Sequence, residues 1–191
     1  MDRAIDKTSL GHLVEGQSRR RLFGVLLGKL VQLPVVGPWV ARLARSPMQL
    51  KSATTRTTRF HAKLLRRSRG RLRHSWLFAA GQPVLALTTT GRKTGLPRTT
   101  AVACFRHESD LVLAGMNLGV QRDPSWALNL EANPEAKIEI GGRAIAVHAR
   151  RAIGAEAESL WERWLEVQPS AAAFRSLAAR EIPLFVLTFF G

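Results

Sequence analysis

Six short β-prone runs from residue 83 onward, with helices inserted late and no regular βαβ alternation, constrain this chain more than any other feature. The runs are Pro83–Thr90, Arg98–Arg106, Leu111–Met116, Ala136–Ile140, Arg143–Arg151 and Ile182–Phe190. A tight polar turn at Glu108–Asp110 joins the second and third, and Gly141-Gly142 joins the fourth and fifth, because two glycines accept the positive φ that a short hairpin demands. Parallel strands need long crossovers, so this order predicts an antiparallel barrel with a few helices. Three helices are expected. Asp123-Pro124 opens the first, with Asp as N-cap and Pro at the first helical position, and it runs through Trp126 and Leu130 to Asn133-Pro134. Glu156–Val167 carries Leu160, Trp161, Trp164 and Leu165 at helical spacing, and Ser170–Arg180 supplies the third.

The first quarter of the chain reads differently. At 191 residues there is room for one domain and a flanking element, and the net charge of +15 separates them. Residues 1–75 hold 17 Lys/Arg against 3 Asp/Glu, whereas the rest of the chain holds 12 against 11. A basic, apolar arm on a nearly neutral domain points to an anionic surface. Residues 22–43 are apolar, but Lys29, Gln32, Pro34 and Pro38 interrupt them, so no uncharged stretch approaches the roughly 20 residues of a membrane span. With Arg19, Arg20, Arg21, Arg42 and Arg45 on its flanks and Trp39 within it, residues 19–45 suit an anionic membrane surface, on which the segment would lie. Asp2, Asp6 and Glu15 argue against a signal peptide, which makes the expected location cytoplasmic and peripheral on the inner face of the plasma membrane. Residues 55–69 are also expected to form a basic amphipathic helix, closed by Gly70. The chain has no helix-turn-helix pattern, zinc finger or aromatic RNA-binding strand, and no specific nucleic acid is expected. Cys104 is the single cysteine and the five histidines never fall at a ligand spacing, so no metal is expected.

Two polar stretches interrupt the barrel strands. The first, TTTGRKTGLPRTT at residues 88–100, holds an inventory suited to a phosphate. Arg92, Lys93 and Arg98 supply charge, Thr94, Thr99 and Thr100 supply hydroxyls, and Gly91 and Gly95 free the backbone to present N–H groups. It is not a Walker A loop, whose spacing is absent. The second stretch runs from Gly115, Met116 and Asn117 into the helix bearing Trp126 and Asn129. The two amides can bond a heterocycle, Trp126 offers a flat wall, and a helix N-terminus favours an anion.

Together, PVLALTTTGRKTGLPRTT at 83–100, GMNLG at 115–119, PSWALNLEANP at 124–134 and REIPLFVL at 180–187 resemble the deazaflavin (F420)-dependent nitroreductase and quinone reductase family. The resemblance covers about residues 55–191; residues 1–54 stand apart as a basic, apolar extension. It implies an α+β fold, mainly an antiparallel split β-barrel with a few flanking helices, to which the residues ahead of it are expected to add an N-terminal helical extension. It further implies an F420H2-dependent oxidoreductase that passes a hydride to a small hydrophobic acceptor such as a quinone or nitro compound. By position, Arg92, Lys93, Thr94, Arg98, Thr99 and Thr100 would hold the phosphate side, while Gly115, Met116, Asn117, Trp126 and Asn129 would line the deazaflavin. No obligatory catalytic side chain follows, since hydride transfer needs proximity and a dry pocket above all. The chain has no tyrosine, whereas relatives tend to place substrate-facing phenols before the last strand; here Phe174 would border the acceptor. The competing readings are an FMN-binding split-barrel oxidoreductase, which also needs a basic phosphate site, and a non-catalytic membrane- or nucleic-acid-associated adaptor.

Overall fold

The computed structural model describes residues 83–119, 121–140, 143–169 and 171–190, together with Phe60, Lys63 and Arg67. The expectations for the extension at 1–54, for most of the basic helix at 55–69 and for the Gly141-Gly142 turn lie outside the described residues. The six strands are β1 (Val84–Thr90), β2 (Pro97–His107), β3 (Asp110–Ala114), β4 (Glu135–Ile140), β5 (Arg143–Arg151) and β6 (Leu184–Phe189). All pair antiparallel, in the order β1-β2-β3-β6-β5-β4, and the β1–β4 pairing closes the barrel. The expected barrel is present. Closure satisfies the backbone of every strand and leaves no edge.

Alternation along the strands separates two apolar layers. Leu85, Leu87, Val102, Cys104, Leu113, Ile138, Ile145, Val147 and Leu187 fill the lumen. Helix α1 (Ser125–Ala132) adds Ala127 and Leu130 to that cluster. The opposite faces of β2, β3 and β6 turn Phe105, Val112, Leu184 and Val186 outward, where helices α2 (Gly154–Val167) and α3 (Ala171–Ala178) cover them. Trp164 anchors this second layer: its ring meets Phe105 edge-on at 5.3 Å, and its Nε1 donates to Gln168 Oε1 at 3.2 Å. Arg175 of α3 lies 5.0 Å over the Trp161 ring of α2 and pairs with Glu158 at 2.8 Å, which ties the two helices together. Among the described residues, no helix is long and apolar enough to cross a membrane.

Several boundaries shift from their expected positions. Helix α1 starts at Ser125, with Pro124 in an extended cap conformation and no side-chain cap, because the Asp123 carboxylate is taken by Arg180 at 2.6 Å. Met116 lies beyond the end of β3, and Ile182 and Pro183 precede β6. Pro183 instead accepts the Gly115 N–H at 2.9 Å, in an approach so close that a Cβ on Gly115 would stand 2.8 Å from the Pro183 ring. The β2–β3 turn places Glu108 at φ 52, a left-handed conformation costly for a side chain with a Cβ. Glu108→Asn should therefore raise stability by roughly 0.5 kcal/mol, a melting temperature increase of about 1–2 °C by calorimetry. An unchanged or lowered melting temperature would show that the turn stores no such strain.

Candidate functional site

The polar loop between β1 and β2 is a wrapped hairpin end. Gly91 donates to the Leu96 carbonyl at 2.9 Å, while Thr94 and Gly95 both donate back to the Gly91 carbonyl at 3.0 and 2.7 Å. Gly95 adopts φ 66, which lets the chain reverse within this turn. Arg92 donates its backbone N–H to Asn129 Oδ1 at 3.1 Å. The N–H groups of Gly91, Arg92, Thr94 and Gly95 are thus spent on the fold, which overturns the expectation of a backbone cradle. What the loop offers a ligand is side-chain charge. Arg92, Lys93 and Arg98 are exposed, and among the described residues none pairs with a carboxylate; Arg98 donates to Thr94 Oγ1 at 3.4 Å. Three cations gathered on one loop repel one another, and an anion relieves that repulsion. The donor set fits a phosphate.

Strand register sorts the threonines. Thr88 pairs with Thr99, and their hydroxyls lie 2.9 Å apart on the outer wall of the barrel, with Lys137 of β4 in register on the other side of Thr88. Thr100 pairs with Leu87, whose side chain is in the lumen, so Thr99 and Thr100 occupy opposite faces. A ligand on one wall meets only one of them. Thr88 and Lys137 escaped the sequence reading because nothing local in a strand announces its cross-strand neighbour. Only the count of alternating positions from Leu87 could have marked Thr88 as outward.

Helix α1 connects this loop to the second polar stretch. Asn129, 6% exposed, accepts from Arg92 and donates Nδ2 to Thr89 Oγ1 at 3.0 Å, so it fastens the loop to the helix. Trp126 meets Phe185 edge-on at 5.7 Å and is half-buried at the end of the lumen. Just ahead of the helix, the Arg122 carbonyl accepts from Asn117 Nδ2 at 2.8 Å, with Asn117 itself at φ 45 in a short 3-10 turn, Asn117–Gly119. Met116 packs half-buried on the outer apolar layer. Phe174, half-buried on α3, lies by this turn; its carbonyl would be 3.3 Å from a Cβ on Gly119. Gly115, Asn117, Trp126 and Asn129 are therefore gathered about one short helix, with the cationic loop fixed near its far end.

No reactive nucleophile appears in this arrangement. Cys104 is buried in the lumen, its thiol pushed up to about 12 by desolvation, and it donates to the Pro83 carbonyl at 3.7 Å. A neutral, buried thiol is a packing residue.

A closed six-stranded antiparallel barrel, flanked by helices and carrying a cationic hairpin loop whose charge suits an anionic group, defines the class of fold. Residues 57–189 match the family model of F420H(2)-dependent quinone reductase, and the chain belongs to that family. An F420H(2)-dependent quinone reductase of Mycobacterium tuberculosis is 32% identical over 133 residues, which cover 68% of this chain and 88% of that protein. A second Mycobacterium tuberculosis protein whose name carries the same activity is 28% identical over 105 residues, covering 55% of this chain and 88% of its own. Among solved structures, an F420-H2 dependent reductase, FDR-A, superposes with a TM-score of 0.51 at 28% identity and covers 56% of this chain and 94% of its own. These three proteins are covered over 88%, 88% and 94% of their own chains.

Proposed function

We propose that the β1–β2 loop holds the phosphate of F420 through Arg92, Lys93 and Arg98, and that Gly115, Met116 and Asn117 with the exposed part of Trp126 border the deazaflavin. The protein is an F420H2-dependent oxidoreductase of the quinone reductase type, and the family favours F420 over FMN. F420H2, when bound, supplies a hydride. The chain's own task is to fix that donor, present an acceptor to it and keep water out. The observation that carries the reading is the set of three exposed cations on one internally bonded loop, with no carboxylate among the described residues paired to any of them. Thr94 orients Arg98, and Asn129 prevents the loop from drifting. Phe174 and Met116 give the acceptor side an apolar border, and with no tyrosine in the chain no phenol can donate to an acceptor's oxygen. Bulky hydrophobic quinones suit such a mouth better than nitroaromatics. The basic extension, residues 19–45 above all, would bring this mouth to an anionic inner membrane surface where such quinones dissolve.

Fluorescence titration tests the cofactor, and turnover tests the acceptor. F420 should be quenched saturably by the full chain, more tightly than FMN binds, and kcat/KM should be higher for menadione than for a nitroimidazole. Deletion of residues 1–54 should abolish sedimentation with anionic vesicles and leave F420 affinity unchanged. Tighter FMN binding would overturn the cofactor, a preference for the nitroimidazole would overturn the acceptor, and vesicle binding by the truncated protein would overturn the role of the arm.

A further inference from the structure

Arg180 stands where α3 gives way to β6, two residues past the helix end, and reaches back across the site. Its Nη2 donates to the Gly115 carbonyl at 2.9 Å and to the Arg122 carbonyl at 3.4 Å, and its Nη1 donates to the Glu181 carbonyl at 3.0 Å. Asp123 Oδ1 lies 2.6 Å from Nη1 in an ion pair whose alignment falls short of a hydrogen bond, so attraction of charge contributes more there than direction. The two side chains are 15% and 25% exposed, which sets this pair apart from the other ion pairs among the described residues, all at half-open or open surface. Burial lowers the affinity of the guanidinium for its proton while Asp123 opposes that shift; arginine nonetheless stays charged. One planar fork thus gathers the end of β3, the segment before α1 and the start of the β6 approach.

Those are the segments that carry the two sides of the proposed site. Gly115 leads into Met116 and Asn117, Arg122 and Asp123 lead into Trp126 and Asn129, and α3 bears Phe174. We propose that Arg180 is a positioning residue for hydride transfer, one that sets the Gly115–Asn117 segment and α3 in register with α1 and so fixes the deazaflavin against the acceptor. This rests on the proposed function. Five donors in a rigid plane can serve carbonyls in different directions at once, whereas an ammonium group is a point charge. The cation's charge alone is therefore insufficient.

Arg180→Lys keeps the charge and the attraction to Asp123 but loses the fork, and Asp123→Asn removes the charge of the partner and keeps the fork. In Arg180→Lys, measured well below its melting temperature, the Kd for F420 should rise about 10-fold and kcat with menadione should fall about 10-fold, with the menadione KM within about twofold of wild type. The salt dependence of F420 binding should stay as in the wild type, because the cationic loop is untouched. In the protein without cofactor, amide exchange should accelerate at Gly115–Gly119 and not in β1. Asp123→Asn should shift the same quantities in the same direction by a few-fold, and it decides the matter if Arg180→Lys does not fold. A purely structural role would lower the melting temperature and leave Kd and kcat of the folded protein at wild-type values. That result, with a wild type that binds F420, overturns this inference alone; a wild type that does not bind F420 overturns the proposed function together with it.

Discussion

Replacing Lys93 and Arg98 together by alanine is expected to weaken F420 binding by at least two orders of magnitude without unfolding the protein. Hydrogen bonds to a charged group contribute about 1.5–3 kcal/mol each, or roughly 10- to 100-fold apiece in affinity. Both side chains are exposed, and neither holds an ion pair with another described residue. Surface changes of that kind stay within about 0.5 kcal/mol of stability, so the melting temperature serves as an internal control. Added salt should weaken the wild type markedly and the double variant much less, because the interaction that salt screens is already gone. Single variants would rank the two cations. Affinity unchanged in the double variant, with the fold intact, would show that the loop carries charge for some other purpose.

A second large effect is expected at Asn129, where binding and stability fall together. Asn129→Leu keeps a side chain of similar shape in a site that is 6% exposed, but it can neither accept from the Arg92 N–H nor donate to Thr89 Oγ1. Each buried polar group left without its partner costs about 1–3 kcal/mol, and two of them lower the melting temperature on the order of 10 °C. The loop, released from α1, should bind F420 several-fold more weakly although all three cations remain. This separates the two variants: one loses affinity at constant stability, the other loses both. A melting temperature equal to that of the wild type would show that the two bonds add nothing beyond what water supplies.

The amide of Asn129 also illustrates how far the sequence could be read. Its position near the start of a helix, in a chain with linked polar motifs, marked it as part of the site, and the suggested role was contact with a heterocycle. The fold uses it as a fastener between loop and helix. Residue type announced a hydrogen-bonding group; only the approach of two segments 37 positions apart chose its partner. The same holds for Asp123, whose place before Pro124 suggested a helix cap. A carboxylate can serve a nearby N–H or a distant cation, and the Arg180 guanidinium, brought in by the chain beyond α3, took it. Local rules could not foresee that competition.

What the sequence determined by itself was what depends on near neighbours: six strand-forming runs, the β2–β3 turn, the three helices of the barrel domain and the concentration of positive charge in one loop and one arm. The spacing of those runs pointed to an antiparallel barrel. Alternation of apolar residues and the demand for positive φ at turns act within a few residues, so they are legible in one dimension. Tertiary structure alone decided which hydroxyl faces which wall, so that Thr99 joins Thr88 and Lys137 outside while Thr100 shares the inner face with Leu87. It also decided that the N–H groups of Gly91, Arg92, Thr94 and Gly95 are bonded within the fold, and that Arg180 joins the Gly115 and Arg122 carbonyls. The reason is register. A shift of one residue turns every side chain of a strand to the other face, and a long cation chooses among carbonyls only after folding has brought them within about 3 Å of it.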